Sequence, residues 1–464
     1  MNEAIIEQKS RELYNKISSA RPNLDIKGKT YYVSADGDDN NDGLSENTPV
    51  KTLEKVTELK SVLKDGDAVL FRSGDIFRGQ FTATNGVTYS MYGDGAKPEI
   101  WGAFENAATL DWEKTEQENV YCAYVPNYTK EIGNIVFDLN KECGFRKHIE
   151  GDLELLMDLD YYHDRDNNKI YIYSEKGNPG ERWSDIELCY NKTIISGKVN
   201  NTTFDSLVLK YGAAHGIGIG SISYEDPDRP KHIGLKNVTV RNCEFEWIGG
   251  GSLSNDGNGR YGNAFEIWGG CDGLIFENNY INQIYDAGVT QQYNGYNFGD
   301  DPVMIENVVM RDNLIENCVY SYEYFLTVWK DDGKGGHCAD PDNEAAFKNV
   351  LFENNICRKS GYGWGNQRPD RQTPAHLKSW DHVNRTENFV IKNNIFDRGD
   401  YLLVELLSVK DEYLPKLESN TYCQYAGKNW ILTNGNKKSV FDRATIQNKQ
   451  GLVEDDAVTC FARR

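Results

Sequence analysis

The sequence contains no C-x-x-C pair, no H-x-x-x-H, no G-x-S-x-G and no Walker loop, which removes redox-pair, zincin, serine-hydrolase and P-loop chemistry. No unbroken apolar run approaches 18 residues and the mean hydropathy is -0.65, so no spanning helix is expected. Residues 1 to 21 carry Glu3, Glu7 and Glu12 and lack the basic start, apolar stretch and small-residue cleavage site of a secretory signal. The ten Cys are scattered singly, which predicts reduced and mostly buried thiols. Together these features predict a cytoplasmic protein, or a secreted one if a leader once preceded it. Basic residues are outnumbered, 51 Lys and Arg against 71 Asp and Glu, and the net charge of -20 makes nucleic acid an unsuitable partner. A membrane is not an expected partner either. What is abundant is Gly (43), Asn (45) and aromatic side chains (9 Trp, 28 Tyr, 18 Phe), while Pro is scarce at 12. That mixture suggests a repetitive, turn-rich β-fold with many polar platforms.

Residues 3 to 20 place Ile5, Ile6, Leu13 and Ile17 among Glu and Lys, an amphipathic helix ending before Pro22. Beyond residue 200 a short segment recurs: Phe204-Asp205-Ser206, Val240-Arg241-Asn242, Phe276-Glu277-Asn278-Asn279, Met310-Arg311-Asp312-Asn313, Phe352-Glu353-Asn354-Asn355 and Ile391-Lys392-Asn393-Asn394. Six copies spaced 34 to 42 residues apart indicate stacked coils, each with one loop of variable length. One coil cannot bury its inner face alone, so successive coils pair strand on strand. The expected fold is all-β, a right-handed parallel β-helix with an N-terminal capping helix and a β-rich insertion. Its expected parts are the capping helix (1–28), first coils (29–100), the insertion or irregular coils (101–196), the main β-helix with a groove (197–430) and a C-terminal cap (431–464). Asn repeated at one corner is expected to ladder its amides up the stack as scaffold.

Three carboxylates stand out among aromatics within two coils. Glu266 lies beside Trp268 in Arg260 to Gly270, Asp286 precedes Ala287-Gly288 and runs on to Gln291, and Glu323 sits between Tyr322 and Tyr324. Counted from the Asn corner, Asp286 and Glu323 fall on the same side of adjacent coils, three positions out of register. Strand spacing alone then fits either a retaining or an inverting carboxylate pair. A third group, His376, Lys378 and Trp380, follows Arg371; Trp380 is suited to stacking on a sugar and His376 and Lys378 to hydrogen bonding its hydroxyls. The loop Asp36 to Gly43 resembles half of a calcium loop, but Pro49 stands where its bidentate Glu belongs. No metal or other cofactor is therefore expected, with calcium the one candidate.

At Tyr31-Tyr32-Val33-Ser34-Ala35-Asp36-Gly37, Asp42-Gly43-Leu44-Ser45, Pro49-Val50-Lys51-Thr52-Leu53 and Gly66 to Gly79, the chain resembles the opening of bacterial right-handed parallel β-helix carbohydrate enzymes. Tyr261 to Gly269 and Tyr285-Asp286-Ala287-Gly288 resemble glycoside hydrolase family 141, whose activities include α-L-fucosidase and xylanase. The resemblance implies a plant or host oligosaccharide or polysaccharide as substrate. It also implies acid catalysis by paired carboxylates, with Asp286 the best match and Glu323 or Glu266 its partner. Trp268, Gln291, Tyr322, His376, Lys378 and Trp380 are the expected substrate-binding residues. Two other classes compete. A polysaccharide lyase or uronate epimerase needs a base and a cation, for which Lys378, His376 and Arg371 are available, and a non-catalytic adhesin-type β-helix needs no such carboxylates. The oligomeric state is not encoded in any motif.

Overall fold

The computed structural model describes residues 2–147, 154–220, 234–253, 259–296, 302–367, 373–434, 438–441 and 458–462. Among them three long sheets carry the fold, two of ten strands and one of eleven, and neighbouring coils pair in parallel. The chain visits the sheets in turn and returns to each one strand further along. Strand Gly270–Glu277 of the first sheet is followed by Tyr280–Ile284 of the second and Ala287–Gly295 of the third, and Met304–Arg311 then starts the next coil. This is a parallel β-helix, as the recurrent segment predicts.

The recurrent segment is the corner between the first and second sheets. Asn242, Asn278, Asp312, Asn354 and Asn393 take left-handed backbone there (φ 54 to 57°), which Asn and Asp tolerate better than other residues with a β-carbon. The next residue points inward. Asn279, Asn313, Asn355 and Asn394 are fully or almost fully buried, and each Oδ1 accepts the backbone N–H of the rung before it at 2.9 to 3.0 Å. Each Nδ2 donates to a carbonyl of the preceding coil. Asn420 adds a further rung that the six sequence copies did not include.

Inside the stack, Phe, Tyr, Ile, Leu and Val from all three sheets form one continuous core. All ten cysteines are free thiols and eight are buried. The N-terminal helix forms over Glu3–Ser19, with Asn2 capping it, but it does not close the end of the stack. It lies lengthwise outside the second sheet, where Ile6 and Ile17 pack with Leu314, Ile356 and Ile395, and where Glu7 and Glu3 pair with Arg358 and Arg398. The reason is its apolar stripe, which matches the apolar row on that sheet. The end is covered by helix Leu53–Glu58, whose Leu53 and Val56 join the main core beside Phe81. The insertion leaves after Glu99–Trp101 of the second sheet and returns at Ile195–Gly197 of the third, and it has its own core around Tyr128, Ile170 and Trp183. Most of the expected C-terminal cap lies outside the described residues, though Val458–Ala462 still pairs in parallel with Thr421–Tyr425. No helix among the described residues is long and apolar enough to cross a membrane.

Candidate active site

The outward face of the third sheet is a floor with walls on both sides. On one side stand the insertion and the described parts of two further connections from the second sheet to the third, residues 249–253 with 259–263 and residues 361–367 with 373–374. On the other stands the hairpin of Tyr320–Asp331 with His337–Ala339. Alternation along each strand sends one residue in two outward, and parallel pairing without slippage aligns these residues into a row. Thr82, Ser196, Gly218, Glu266, Thr290, Glu323, Lys378 and Glu405 are register partners from coil to coil. A second row, one outward step further along, holds Trp268, Gln292 and Phe325.

The first three members of the row are small, so the floor is hollow there. A cleft of about 710 Å³ occupies that hollow, lined by Ser196, Gly218, Lys198, His215, Tyr261 and Glu266 among others. At its end three donors surround the Glu266 carboxylate: Asn263 Nδ2 at 2.9 Å, Gln292 Nε2 at 2.8 Å and His215 Nε2 at 3.3 Å. The backbone N–H of Asn263 donates to His215 Nδ1 (3.2 Å), so the imidazole carries its proton on Nε2, facing Glu266.

Glu323 stands two coils from Glu266, with Thr290 between them. Two strand spacings separate their backbones by about 9.6 Å. Glu323 is buried and turns away from Glu266, accepting a hydrogen bond from Trp380 Nε1. Thr290 is fully buried, and its hydroxyl has no hydrogen-bond partner. Next in the row, Lys378 donates to Glu405 Oε2 (2.6 Å) and Thr373 Oγ1 (2.9 Å), and its ammonium lies 4.3 Å from the Trp380 ring centre. Phe325 contacts Trp268 edge-on and stacks on His382 (4.8 Å, 19°), giving the floor an aromatic row beside the carboxylates.

The structure therefore brings Glu266, Glu323, Trp268, Lys378 and Trp380 onto one face, and three expected binding residues are corrected. Tyr322 and Gln291 point into the core, where Tyr322 stacks on Phe352 and its hydroxyl donates to Gln291 Oε1. Neither reaches the groove, because they alternate with the outward Glu323 and Thr290. His376 is fully buried at the corner, bonded to Ser321 Oγ (2.9 Å) and near the Asp397 carbonyl, and burial lowers its pKa to about 4. Lys378 faces the floor, but it is paired with Glu405. Asp286 precedes strand Ala287–Gly295 at the walled corner and is in register with Val319, four positions ahead of Glu323 rather than three. Arg371 lies outside the described residues. In the acidic loop, Asp36 pairs with Arg72, Asp38 and Asp42 bond within the loop, and Asp39 holds Thr52 at the start of helix Leu53–Glu58.

Sequence reasoning missed His215, Asn263, Thr290, Phe325 and Glu405. Their signal was present in the strand register, which emerges only once the coil boundaries are known. One more feature was illegible. Tyr211, Trp247, Gln283, Asn317, Lys359 and Arg398 form a column of left-handed residues (φ 54 to 58°) where the second sheet turns toward the third. Apart from Asn317 these are bulky side chains that rarely adopt this backbone, and nothing in their types announces it.

No protein-family model matches the chain. Over 104 residues, 20% of its length, the chain is 43% identical to a lacto-N-biosidase of Bifidobacterium longum subsp. longum. The match spans only 6% of that relative. A XylC structure in complex with xylose superposes with a TM-score of 0.48 and 12% identity, over 93% of this chain and 82% of that one. The GH136 lacto-N-biosidase of Eubacterium ramulus gives a TM-score of 0.36 and 14% identity over 88% and 67%.

Proposed function

We propose that this chain is a glycosidase acting on an oligosaccharide bound across the outward face of the third sheet. The reading rests on one observation: Glu266 and Glu323 share a row two coils apart, with the buried, unpartnered hydroxyl of Thr290 between them. Glu323 serves as general acid, protonating the departing glycosidic oxygen. Glu266, on which three donors converge, serves as the base that activates water, and the Thr290 hydroxyl holds that water once substrate binding opens the covered floor above it. A backbone spacing of about 9.6 Å, with Glu323 turned away toward Trp380, is too wide for a retaining pair at about 5–5.5 Å, and the inverting separation of about 6.5–9.5 Å is reached when Glu323 swings back toward Glu266. Trp268, Phe325 and Trp380 supply apolar faces for the sugar.

The partial identity to a lacto-N-biosidase supports release of a disaccharide unit, and the resemblance to family 141 keeps fucoside and xyloside substrates in view. A lyase or epimerase reading is weakened, since His376 is in the core and Lys378 is neutralised by Glu405. The test is a panel of aryl glycosides of lacto-N-biose, xylose and fucose, with host and plant oligosaccharides. Hydrolysis without a rise in unsaturated-product absorbance, lost in both Glu266→Gln and Glu323→Gln, is the expected result. Full activity in both variants, or loss only in Asp286→Asn, overturns the assignment.

A further inference from the structure

Strand Tyr320–Asp331 is twelve residues long and pairs with Ala287–Gly295 only as far as Val328, so its last three residues, Trp329 to Asp331, project past the floor. There it pairs antiparallel with His337–Ala339, closed by a turn in which Asp332 accepts the N–H groups of Lys334 and Gly336. Leu326 and Val328 still point into the core, so the alternation that sends Glu323 and Phe325 outward also sends Thr327 and Trp329 outward. Trp329 stacks on His337 (4.0 Å, 25°), and Tyr296, outward at the end of the adjoining strand, meets Trp329 edge-on at 5.8 Å. Tyr296 is 37% exposed and His337 is exposed. This cluster lies outside the main core, on an arm held in place by its own turn.

Its position is on the catalytic face. Six residues of strand place Trp329 about 20 Å from Glu323, further than the second sugar of a disaccharide cleaved at the carboxylates would reach. Its charge is also informative: Asp331, Asp332, Asp340, Asp342 and Glu344 outnumber Lys330 and Lys334, and Lys330 is already paired with Asp340. A uronate would be repelled, whereas the apolar face of a neutral sugar would not be. We propose that Tyr296, Trp329 and His337 form a second saccharide platform for neutral sugar residues remote from the scissile bond, an assignment that rests on the glycosidase reading of the same floor. The protein then selects longer glycans over disaccharides.

Calorimetric binding of xylohexaose and lacto-N-tetraose, each against its disaccharide (xylobiose, lacto-N-biose), tests this in the wild type, Trp329→Ala and His337→Ala. The expected result is that the wild type binds one long glycan more tightly than its disaccharide. Both variants then lose about tenfold in affinity for that glycan, about 1.4 kcal/mol, and keep disaccharide affinity and melting temperature. Equal loss on long and short ligands, no loss, or no preference for a long glycan in the wild type overturns the platform. Hydrolysis of an aryl glycoside, which never reaches Trp329, judges the glycosidase reading separately. If long-glycan binding falls as expected while nothing is hydrolysed, the platform stands and the catalytic reading fails.

Discussion

Replacing Asn313 by Ala removes one rung of the buried corner ladder, and the structure sets the cost. The Asn313 amide accepts from Asn279 N (2.9 Å) and Asn279 Nδ2 (3.1 Å), and donates to Phe276 O (3.0 Å) and Asn355 Oδ1 (2.9 Å). The neighbouring amides keep other partners: Asn279 Nδ2 still reaches Val240 O, and Asn355 Oδ1 still accepts from Asn313 N. One buried main-chain group, Asn279 N–H, is left without one, while Phe276 C=O loses its side-chain donor but stays in the strand ladder with the next coil. At about 1–3 kcal/mol for an orphaned buried group, the loss comes to about 2 kcal/mol. Asn388→Gly is the control: it removes an exposed amide bonded to Asn349 Oδ1, and glycine suits the left-handed backbone there (φ 53°). Its expected effect is below about 1 kcal/mol. Urea unfolding followed by tryptophan fluorescence reads both variants, with an unchanged slope required for the comparison. A loss under about 1 kcal/mol in Asn313→Ala, or equal losses in the two variants, would refute the view that this corner carries the fold through buried amides.

Three further outcomes are expected. Glu405→Ala leaves the buried Lys378 ammonium without its carboxylate and costs about 3–5 kcal/mol, whereas Lys378→Met with Glu405→Leu recovers most of that loss; a double-mutant cycle showing no coupling contradicts the pairing. Burial holds the folded pKa of His376 at about 4, below the ordinary imidazole value of about 6.5. The unfolded chain therefore takes up the proton first, so stability is full above about pH 6.5 and falls by up to about 3 kcal/mol as pH drops toward 4. The unfolding free energy of His376→Asn should lose that part of the slope, and an identical pH profile argues against it. Thr290→Val should lower kcat by about tenfold or more with an unchanged melting temperature, if the hydroxyl holds the attacking water; an unchanged kcat removes Thr290 from the mechanism.

The solenoid was legible because one corner repeats the same chemistry in every coil, and only Asn and Asp serve well where left-handed backbone is followed by an inward amide. The helix at Glu3–Ser19 was legible from its apolar stripe, but its resting place was not, since the matching row of Leu314, Ile356 and Ile395 is spread over 82 residues of sequence. Glu266, Glu323 and Trp268 could be selected as carboxylates and an aromatic in strand text. Whether a strand residue faces the core or the groove depends on register, and a shift of one position reverses it. That is why Tyr322 and Gln291 were placed in the groove and Thr290 was passed over. The His215–Glu266 contact joins positions 51 residues apart on adjacent coils, a distance set by the loop between them and not by any motif.

In the proposed reaction Glu266 and Glu323, two coils apart, act as base and acid with water between them. Proton NMR of the hydrolysis of a susceptible aryl glycoside, recorded before the product mutarotates, tests it most directly. The first-formed sugar should carry the anomeric configuration opposite to that of the substrate. A product that retains the substrate's configuration would require a nucleophile closer to the acid than two strand spacings allow, and would contradict the assignment of this pair.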